Sequence, residues 1–363
     1  MSNWRDWARR LLVALLLLLV LLSFLPLWWT DRWWVRMWDF PRLQIAGLLL
    51  ILAAGLFLIK VRRNLAFWAL AAAVLAALGW QASHFIPYFP PYPEQVATAK
   101  SCPPERQISL LNANVLLDNR HYAKLLRLVE QRRPDVLLML EPGAQWEQAV
   151  EPLAASYPYR ISEAAPNTYG MILMSRLPMK GGIAHLLQSG VPSAHVQLRL
   201  AGGEEILLHA VHPEPPYPGD DSGERDAELV KVGRMVRNDG RAAIVMGDLN
   251  DVAWSRTSRL FRKVAGMLDP RVGRGFYPTY NANYPLLRWP LDHAFVSPHF
   301  ELMQLDLLPD IGSDHFPIFF RLCLKGDASK RKVSPSASPA TEVEASGELG
   351  EGEAESREEK NGS

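Results

Sequence analysis

Two short polar segments carry most of the chemical information in this chain. Gly247-Asp248-Leu249-Asn250 follows the apolar run 242–246, and Ser313-Asp314-His315-Phe316-Pro317 precedes the apolar run 318–320. Each segment places carboxylate, amide or imidazole groups at the end of a buried strand, where α/β folds keep their functional residues. Groups of these types suit a divalent cation and an in-line attack by water on a phosphate ester.

The first part of the chain is far more apolar than the rest. Arg10 is followed by LLVALLLLLVLLSFLPLWW, which is close to the ~20 apolar residues that a bilayer requires, and residues 45–59 and 65–80 form further apolar runs. A cleaved signal peptide is the alternative for the first run. Its long leucine stretch, its Trp28-Trp29 pair and its lack of a small-residue cleavage site argue against that alternative. We therefore expect a membrane anchor of three transmembrane helices in residues 1–83.

The basic residues indicate how these helices are oriented. Basic segments lie at 5–10, before the first run, and at 60–63, between the second and third runs. Positive residues gather on the cytoplasmic side, so both segments should face the cytoplasm. Arg32, Arg36 and Arg42 in the first loop weaken this bias. Three spans with a cytoplasmic N-terminus would place the rest of the chain outside the cell membrane.

Charge and cysteine content limit the partners and the compartment. With a net charge of +1, the chain lacks the strongly basic surface of a protein built mainly to hold nucleic acid by counterion release. Its two cysteines are Cys102, just before the first strand of the soluble part, and Cys323, in the last strand. An exported compartment would allow them to pair, and two free buried thiols are the alternative.

The remaining sequence divides into a spacer, a folded domain and a tail. Residues 84–105 are proline-rich and should form a stiff, extended spacer. Residues 106–325 alternate short apolar strands with helical stretches at 121–132 and 224–237, which favours two mixed sheets packed face to face with helices outside. Residues 326–363 are rich in Ser, Pro, Glu and Ala, so we expect a disordered tail.

The order of the polar motifs is similar to that of a known family. Asn114 ends the first strand, Glu141 ends the second in DVLLMLEP, and GDLN, LDH and GSDHFP follow in that order. Residues 109–322 thereby resemble the endonuclease/exonuclease/phosphatase (DNase I-like) superfamily. The apolar N-terminus and proline spacer look like its membrane-anchored bacterial branch. The resemblance implies an α/β fold, a four-layer α/β/β/α sandwich, here preceded by three transmembrane helices.

The resemblance also implies a metal site. Glu141 resembles the family's main ligand for Mg²⁺, with Mn²⁺ as the alternative ion, because hard carboxylate oxygens suit both. Asn114 resembles the amide that shapes this site, although Asn112, two residues earlier on the same face of the strand, is a second candidate. Asp314 resembles a further ligand of the metal or its water. Ordinary turn-capping side chains are the structural alternative.

Five residues resemble the family's catalytic groups. Asp248 matches the residue that orients or deprotonates the attacking water, and Asn250 matches the amide that donates to a phosphate oxygen. His315 matches an imidazole that binds the scissile phosphate when protonated or takes a proton from water when neutral. Asp292 matches the carboxylate that orients this histidine and raises its pKa. His212 matches the histidine that supports the leaving group or the phosphate.

Two further residues lie where family members place substrate-contacting loops. Arg274 follows a glycine and could make a bidentate contact to phosphate, although a surface loop with an incidental arginine has equal weight. Asn167 occupies another such loop. His209, His293 and Trp254 are expected to be packing residues rather than participants.

The sequence therefore predicts a metal-dependent phosphoesterase in the bacterial inner membrane, with its catalytic domain facing the exterior. The expected substrate is a phosphodiester or phosphate ester of a lipid or cell-envelope precursor. An extracytoplasmic endonuclease or exonuclease acting on DNA or RNA is the alternative, weakened because no long basic insertion or aromatic wedge for penetrating DNA is present. A catalytically inactive binding module is an alternative of another class. Retention of the full polar set, which is costly to bury, argues against it.

Overall fold

The computed structural model describes residues 3–58, 63–216, 218, 221–325 and 337–362. Its α-helices are α1 Asn3–Phe24, α2 Trp33–Arg36, α3 Arg42–Leu58, α4 Leu65–Phe85, α5 Tyr122–Arg132, α6 Ala144–Ala149, α7 Gly223–Asp239, α8 Arg256–Ala265 and α9 Pro339–Gly362. Its strands are β1 Gln107–Asn114, β2 Val136–Leu140, β3 Tyr159–Glu163, β4 Met171–Ser175, β5 Met179–Ala184, β6 Ser193–Arg199, β7 Glu205–Ala210, β8 Ala243–Asp248, β9 Asp292–Val296, β10 Phe300–Leu307 and β11 Ile318–Leu324.

The strands form two mixed sheets that pack face to face. One sheet has the order β10-β11-β1-β2-β4-β3 and the other β5-β6-β7-β8-β9. Apolar side chains from both sheets fill the space between them, including Leu110 and Leu138 of the first and Leu208 and Met246 of the second. Helices α5 and α6 cover the outer face of the first sheet, and α7 and α8 cover that of the second. The predicted four-layer sandwich is confirmed.

The alternation of side chains along β1 explains where the polar groups lie. Ile108 and Leu110 belong to the core between the sheets, whereas Leu111 and Ala113 pack under the outer helices. Because successive side chains point to opposite faces of a strand, Asn112 and Asn114 continue the series that faces the other sheet. The side-chain amides of Asn112 and Asn114 therefore lie at one end of the space between the two sheets.

Local signals set the bounds of the outer helices. Helix α8 begins after Ser255, whose hydroxyl accepts from the backbone N–H of Ser258, and it ends at Gly266 in the left-handed region. Helix α5 buries Leu125, Leu128 and Val129, a spacing that gives one apolar stripe.

The N-terminal helices α1, α3 and α4 pack against one another around Leu16, Leu49 and Val74. Asp6–Leu27 and Leu65–Tyr88 are long and apolar enough to cross a membrane, and a third candidate combines Trp33–Asp39 with Arg42–Leu58 across a bend of 73°. The described residues thus contain two candidate spans, or three when the bent pair counts as one. Residues 60–62, which belong to the basic segment used to predict the orientation, lie outside the described residues.

Both the segment between α1 and α3 (residues 25–41) and the proline-rich segment after α4 are fixed to the domain. The indole N–H of Trp254 donates to the carbonyl of Asp39 at 2.8 Å, and the hydroxyl of Tyr88 donates to the carbonyl of Ala253 at 2.9 Å. Cys102 and Cys323 form a disulfide that joins the end of the spacer to the last strand. The spacer is therefore packed along the domain at these points rather than separate from it.

The tail differs from the expected disorder. Residues 339–362 form helix α9, which packs Ala345 and Leu349 against α7 and α8. Its acidic side chains also pair with the domain, since Arg256 contacts Glu344 at 2.6 Å and Glu348 at 2.7 Å. The scarcity of apolar residues in the tail predicts disorder, but the tail meets basic side chains of the domain that the sequence pattern does not reveal. Residues 326–336 lie outside the described residues.

Candidate active site

The predicted catalytic residues meet at one end of the inter-sheet space, around a cavity of about 500 Å³. Six of them line this cavity, namely Glu141, His212, Asp248, Asn250, Asp314 and His315. Asn114 and Asp292 lie directly behind this wall and hydrogen-bond to Glu141 and His315 respectively. Side chains that are far apart in the sequence thus share one site.

Two carboxylates hold the imidazole of His315. Its Nδ1 lies 2.7 Å from Oδ2 of Asp292, and its Nε2 lies 3.4 Å from Oδ2 of Asp248. Burial lowers the pKa of His315, but the charges of Asp292 and Asp248 outweigh burial and raise this pKa to about 10. The predicted pairing of Asp292 with His315 is present in the structure.

The two asparagines of β1 have separate partners. Asn112 donates from Nδ2 to Oδ1 of Asp292 at 2.9 Å, while Asn114 donates from Nδ2 to Glu141 at 2.7 Å and to Asp248 at 3.3 Å. Asn114 therefore connects the candidate metal ligand to the candidate base. Asn112 fixes the carboxylate behind His315, a positioning contact that the sequence reading did not assign to it.

Glu141 turns into the cavity through an unusual backbone conformation. Its φ is 60°, in the left-handed region that non-glycine residues seldom occupy, and its N–H donates to the carbonyl of Gly170 at 2.9 Å. Burial raises the pKa of its carboxyl group, against the opposing effects of His212 and Asn114. Strained backbone of this kind concentrates at functional sites.

The segment after β8 depends on Gly247. Its φ is 144°, and a Cβ at this position would overlap the carbonyl oxygen of Val211. Only glycine allows β8 to approach the segment that carries His212 so closely. Beyond it, Oδ1 of Asp248 accepts from the N–H of Asn250 at 2.9 Å, and Nδ2 of Asn250 donates to the carbonyl of Pro213, also at 2.9 Å.

The two predicted substrate-contacting residues lie outside the cavity lining. Arg274 donates to the carbonyls of Pro270 and Val96 and pairs with Glu94 at 2.6 Å, so its guanidinium fastens the spacer to the domain. The side chain of Asn167 is exposed and accepts from the N–H of Tyr169. The order of the motifs predicted that both loops lie near the site. It could not show that the two side chains already hydrogen-bond to neighbouring residues of the protein.

The cavity has an apolar side that the sequence analysis missed. Its lining includes Trp33, Met37 and Phe40 from the segment between α1 and α3, together with Tyr280 and Trp289. The ring of Tyr280 lies 4.9 Å from that of His315, and the ring of Trp289 lies 5.8 Å from that of Phe40. A Trp-rich loop between apolar helices was the available signal, but the sequence alone linked it to the membrane and not to the catalytic residues.

The charges of the cavity fit a divalent cation. Among the described residues, neither lysine nor arginine lines it, whereas Glu141, Asp248 and Asp314 do. A phosphate ester would meet excess negative charge there unless a bound cation compensated it. Ligand atoms of Asp248, Asp292 and His315 also lie within 4.8 Å of one another, but the imidazole already lies between those two carboxylates. Within the described part of the chain, Glu141 forms no ion pair of that kind, so it is the better candidate ligand.

Comparisons with known proteins identify the family of this chain. Residues 110–315, more than half of the chain, match the model of the Endonuclease/Exonuclease/phosphatase family. The chain belongs to this family, whose enzymes are metal-dependent phosphoesterases and nucleases. No curated protein matches the chain in sequence.

Solved structures share the fold at low sequence identity. An endonuclease/exonuclease/phosphatase from Beutenbergia cavernae has 19% identity and a TM-score of 0.50, with 61% of this chain and 72% of that chain covered. A humanized D. rerio TDP2 has 19% identity and a TM-score of 0.51, covering 60% and 99%. The human Nocturnin catalytic domain has 14% identity and a TM-score of 0.50, covering 62% and 96%. At these identities the comparisons establish the fold and not the substrate.

Proposed function

We propose that this protein is a membrane-anchored phosphoesterase that uses Mg²⁺ to hydrolyse a phosphodiester or phosphate ester of a lipid or cell-envelope precursor. One observation carries the choice of substrate. The segment between the long helices α1 and α3 supplies Trp33, Met37 and Phe40 to the same cavity that contains Asp248 and His315.

The two sides of the cavity differ in chemistry. Its catalytic side presents carboxylates and imidazoles, whereas its other side presents large apolar rings, including Phe40 and Trp289. A molecule with a phosphate at one end and hydrocarbon next to it would satisfy both sides. A nucleic acid would instead favour basic groups along its path, and the described lining contains no lysine or arginine.

The chain's own residues divide the work of in-line hydrolysis among them. Asp248 orients the attacking water and accepts its proton, while Asn114 holds this carboxylate beside Glu141. The Nε2 of His315, 3.4 Å from Asp248, is too far away for a strong bond to it and can serve a phosphoryl oxygen.

The remaining groups support the charge that builds up during the reaction. Asn250 offers its second amide hydrogen to a phosphoryl oxygen, and His212, which lines the same cavity, would support the leaving group or the phosphate. Glu141, with Asp314, would hold the metal ion, and the amide of Asn114, which donates to Glu141, would position that ligand. The bound cation supplies charge stabilisation at the phosphoryl oxygens.

The arrangement of the anchor supports an extracytoplasmic domain. The first loop and the domain contact each other through Trp254 and Asp39, so they lie on the same side of any membrane that the anchor crosses. Helices α3 and α4 then lead away from that side and back to it, which puts Arg63, before the start of α4, on the opposite side. The disulfide between Cys102 and Cys323 also suits an oxidising, exported compartment.

The test uses the full chain in lipid vesicles, with Mg²⁺ or with a chelator. Lipid phosphodiesters, prenyl phosphates and plasmid DNA are offered at matched phosphate concentration, with Asp248→Asn as the inactive control. We expect chelator-sensitive hydrolysis of a lipid phosphate and intact plasmid. Cleavage of the plasmid at lower enzyme concentration than any lipid phosphate would overturn the lipid proposal and support the nuclease reading.

A further inference from the structure

One segment of the domain exposes an apolar tip beside the membrane anchor. Tyr280 and Trp289 pair as an isolated antiparallel bridge, and residues 281–288 connect them as a hairpin. Within this loop the side chains of Tyr284 and Leu286 are 60% and 85% exposed. Exposed apolar residues that cluster in this way mark an interaction surface.

The tip carries no compensating charge. Residues 281–287 are Asn-Ala-Asn-Tyr-Pro-Leu-Leu, without a charged side chain. Arg288, the next residue in the sequence, folds back and donates to the carbonyls of Asn281 and Ala282. The guanidinium therefore stabilises the base of the hairpin and leaves its tip apolar.

The tip lies at the start of α3. The side chain of Gln44 donates to the carbonyl of Leu286 at 2.9 Å. Leu48, one helical turn further along α3, is exposed and apolar, and so are Leu43 before it and Leu50 and Ile51 after it. At a rise of about 1.5 Å per residue, the tip lies roughly 6 Å from that apolar belt, a distance within the interfacial layer of a bilayer.

The base of the same hairpin belongs to the catalytic site. The N–H of Ala282 donates to the carbonyl of Asp314 at 2.7 Å, and Tyr280 pairs with His315. Leu287, at the foot of the tip, lines the cavity together with Trp289. One element therefore connects the outer tip to the catalytic residues.

We propose that the hairpin of residues 280–289 inserts its tip into the lipid interface around α3, so that the catalytic cavity receives its substrate directly from the bilayer. This inference rests on the proposed function and adds its route of substrate entry. The tip contributes membrane contact, Leu287 and Trp289 guide the hydrocarbon part, and the phosphate reaches Asp248 and His315 without crossing bulk water.

A labelling experiment tests the membrane contact without depending on catalysis. Because the two native cysteines are paired, Leu286→Cys introduces a single free thiol for an environment-sensitive fluorophore. In the full chain reconstituted into phosphatidylcholine/phosphatidylglycerol vesicles, we expect emission at shorter wavelength and quenching by lipids that carry a nitroxide near the headgroup. The same label at Val343→Cys, which is 73% exposed on α9, should report water. A water-like signal at residue 286 would overturn the inference.

A kinetic experiment tests the route of entry. Tyr284→Asp with Leu286→Asp should reduce hydrolysis of a vesicle-embedded lipid phosphate about tenfold or more, because charged side chains resist burial in the interface. Hydrolysis of water-soluble bis(p-nitrophenyl) phosphate should stay at the wild-type rate, and Val343→Asp should affect neither substrate. Equal loss on both substrates, or loss on neither, would contradict the inference.

The two proposals fail in different ways. If the label at residue 286 reports lipid while wild-type enzyme hydrolyses no lipid phosphate, the proposed function fails and the membrane contact stands. If lipid phosphate is hydrolysed but the tip variants are fully active on it, the proposed function stands and the inference fails.

Discussion

Replacing Asp292 by asparagine would test the hydrogen-bond arrangement behind His315. Both carboxylate oxygens of Asp292 accept hydrogen bonds, Oδ1 from Asn112 and Oδ2 from Nδ1 of His315. An amide offers one acceptor, so in Asp292→Asn either Asn112 or His315 must face an N–H group. If His315 faces it, Nδ1 must lose its proton to accept from the amide, so the imidazole loses the positive charge that the two carboxylates stabilise.

The expected loss of activity in Asp292→Asn follows from the one hydrogen bond that this variant cannot form. A buried hydrogen bond to a charged group contributes about 2 to 3 kcal/mol, and full loss of it from the transition state would reduce kcat/KM roughly 30- to 150-fold. The assay is chelator-sensitive hydrolysis of bis(p-nitrophenyl) phosphate, with thermal unfolding measured in parallel. Asp306→Asn is the matched control, because Asp306 pairs with Arg132 and is not among the residues that line the cavity.

A swap variant separates charge from hydrogen bonding. In the double variant Asn112→Asp with Asp292→Asn, the new carboxylate can accept from the new amide, whose oxygen accepts from His315. We expect the unfolding temperature to recover and the activity to recover in part. The carboxylate would then lie at residue 112, behind the amide of residue 292, and would no longer contact the imidazole directly. Wild-type activity, within about twofold, in the single Asp292→Asn variant with unchanged stability would refute the role given to this carboxylate.

Three other changes have defined outcomes. Glu141→Gln should lower activity roughly 100-fold or more and raise the Mg²⁺ concentration needed for half-maximal rate, as a metal titration would show, whereas Glu147→Gln on the surface should not. Burial raises the pKa of Glu228 from 4.5 to about 8, so this carboxyl group destabilises the fold progressively as pH rises through that interval. Glu228→Gln should therefore be more stable than wild type by on the order of 3 kcal/mol at about pH 7 and equal to it near about pH 4, as measured by denaturant unfolding. Cys102→Ser with Cys323→Ser should cost about 2 to 5 kcal/mol of stability, and a reductant should lower the unfolding temperature of wild type alone.

The catalytic side of the site could be predicted because its signals are local. The GDLN and SDHFP segments adjoin apolar strands, and the ends of those strands meet in the fold. Helices expected at 121–132 and 224–237 appear as α5 and α7 with bounds within two residues. The pattern of apolar residues was sufficient for these elements.

What the sequence could not supply depends on contacts between distant segments. Arg274 forms an ion pair with Glu94 of the spacer, and no local sequence pattern predicts this contact. The acidic tail forms a helix because Arg256 lies opposite Glu344 and Glu348. The apolar side of the cavity comes from Trp33 and its neighbours, about two hundred residues before Asp248 in the chain.

The ion pair between Arg274 and Glu94 of the spacer and the hydrogen bond from Trp254 to Asp39 hold the catalytic domain in one orientation relative to the N-terminal helices. An enzyme on a flexible tether samples many positions in solution, whereas one held in this way keeps the entrance of its catalytic cavity at a constant distance from the membrane surface. On the proposed function, turnover would then follow the mole fraction of substrate in the same leaflet instead of its bulk concentration. Adding inert lipid to the vesicles should slow the enzyme by surface dilution at unchanged total substrate.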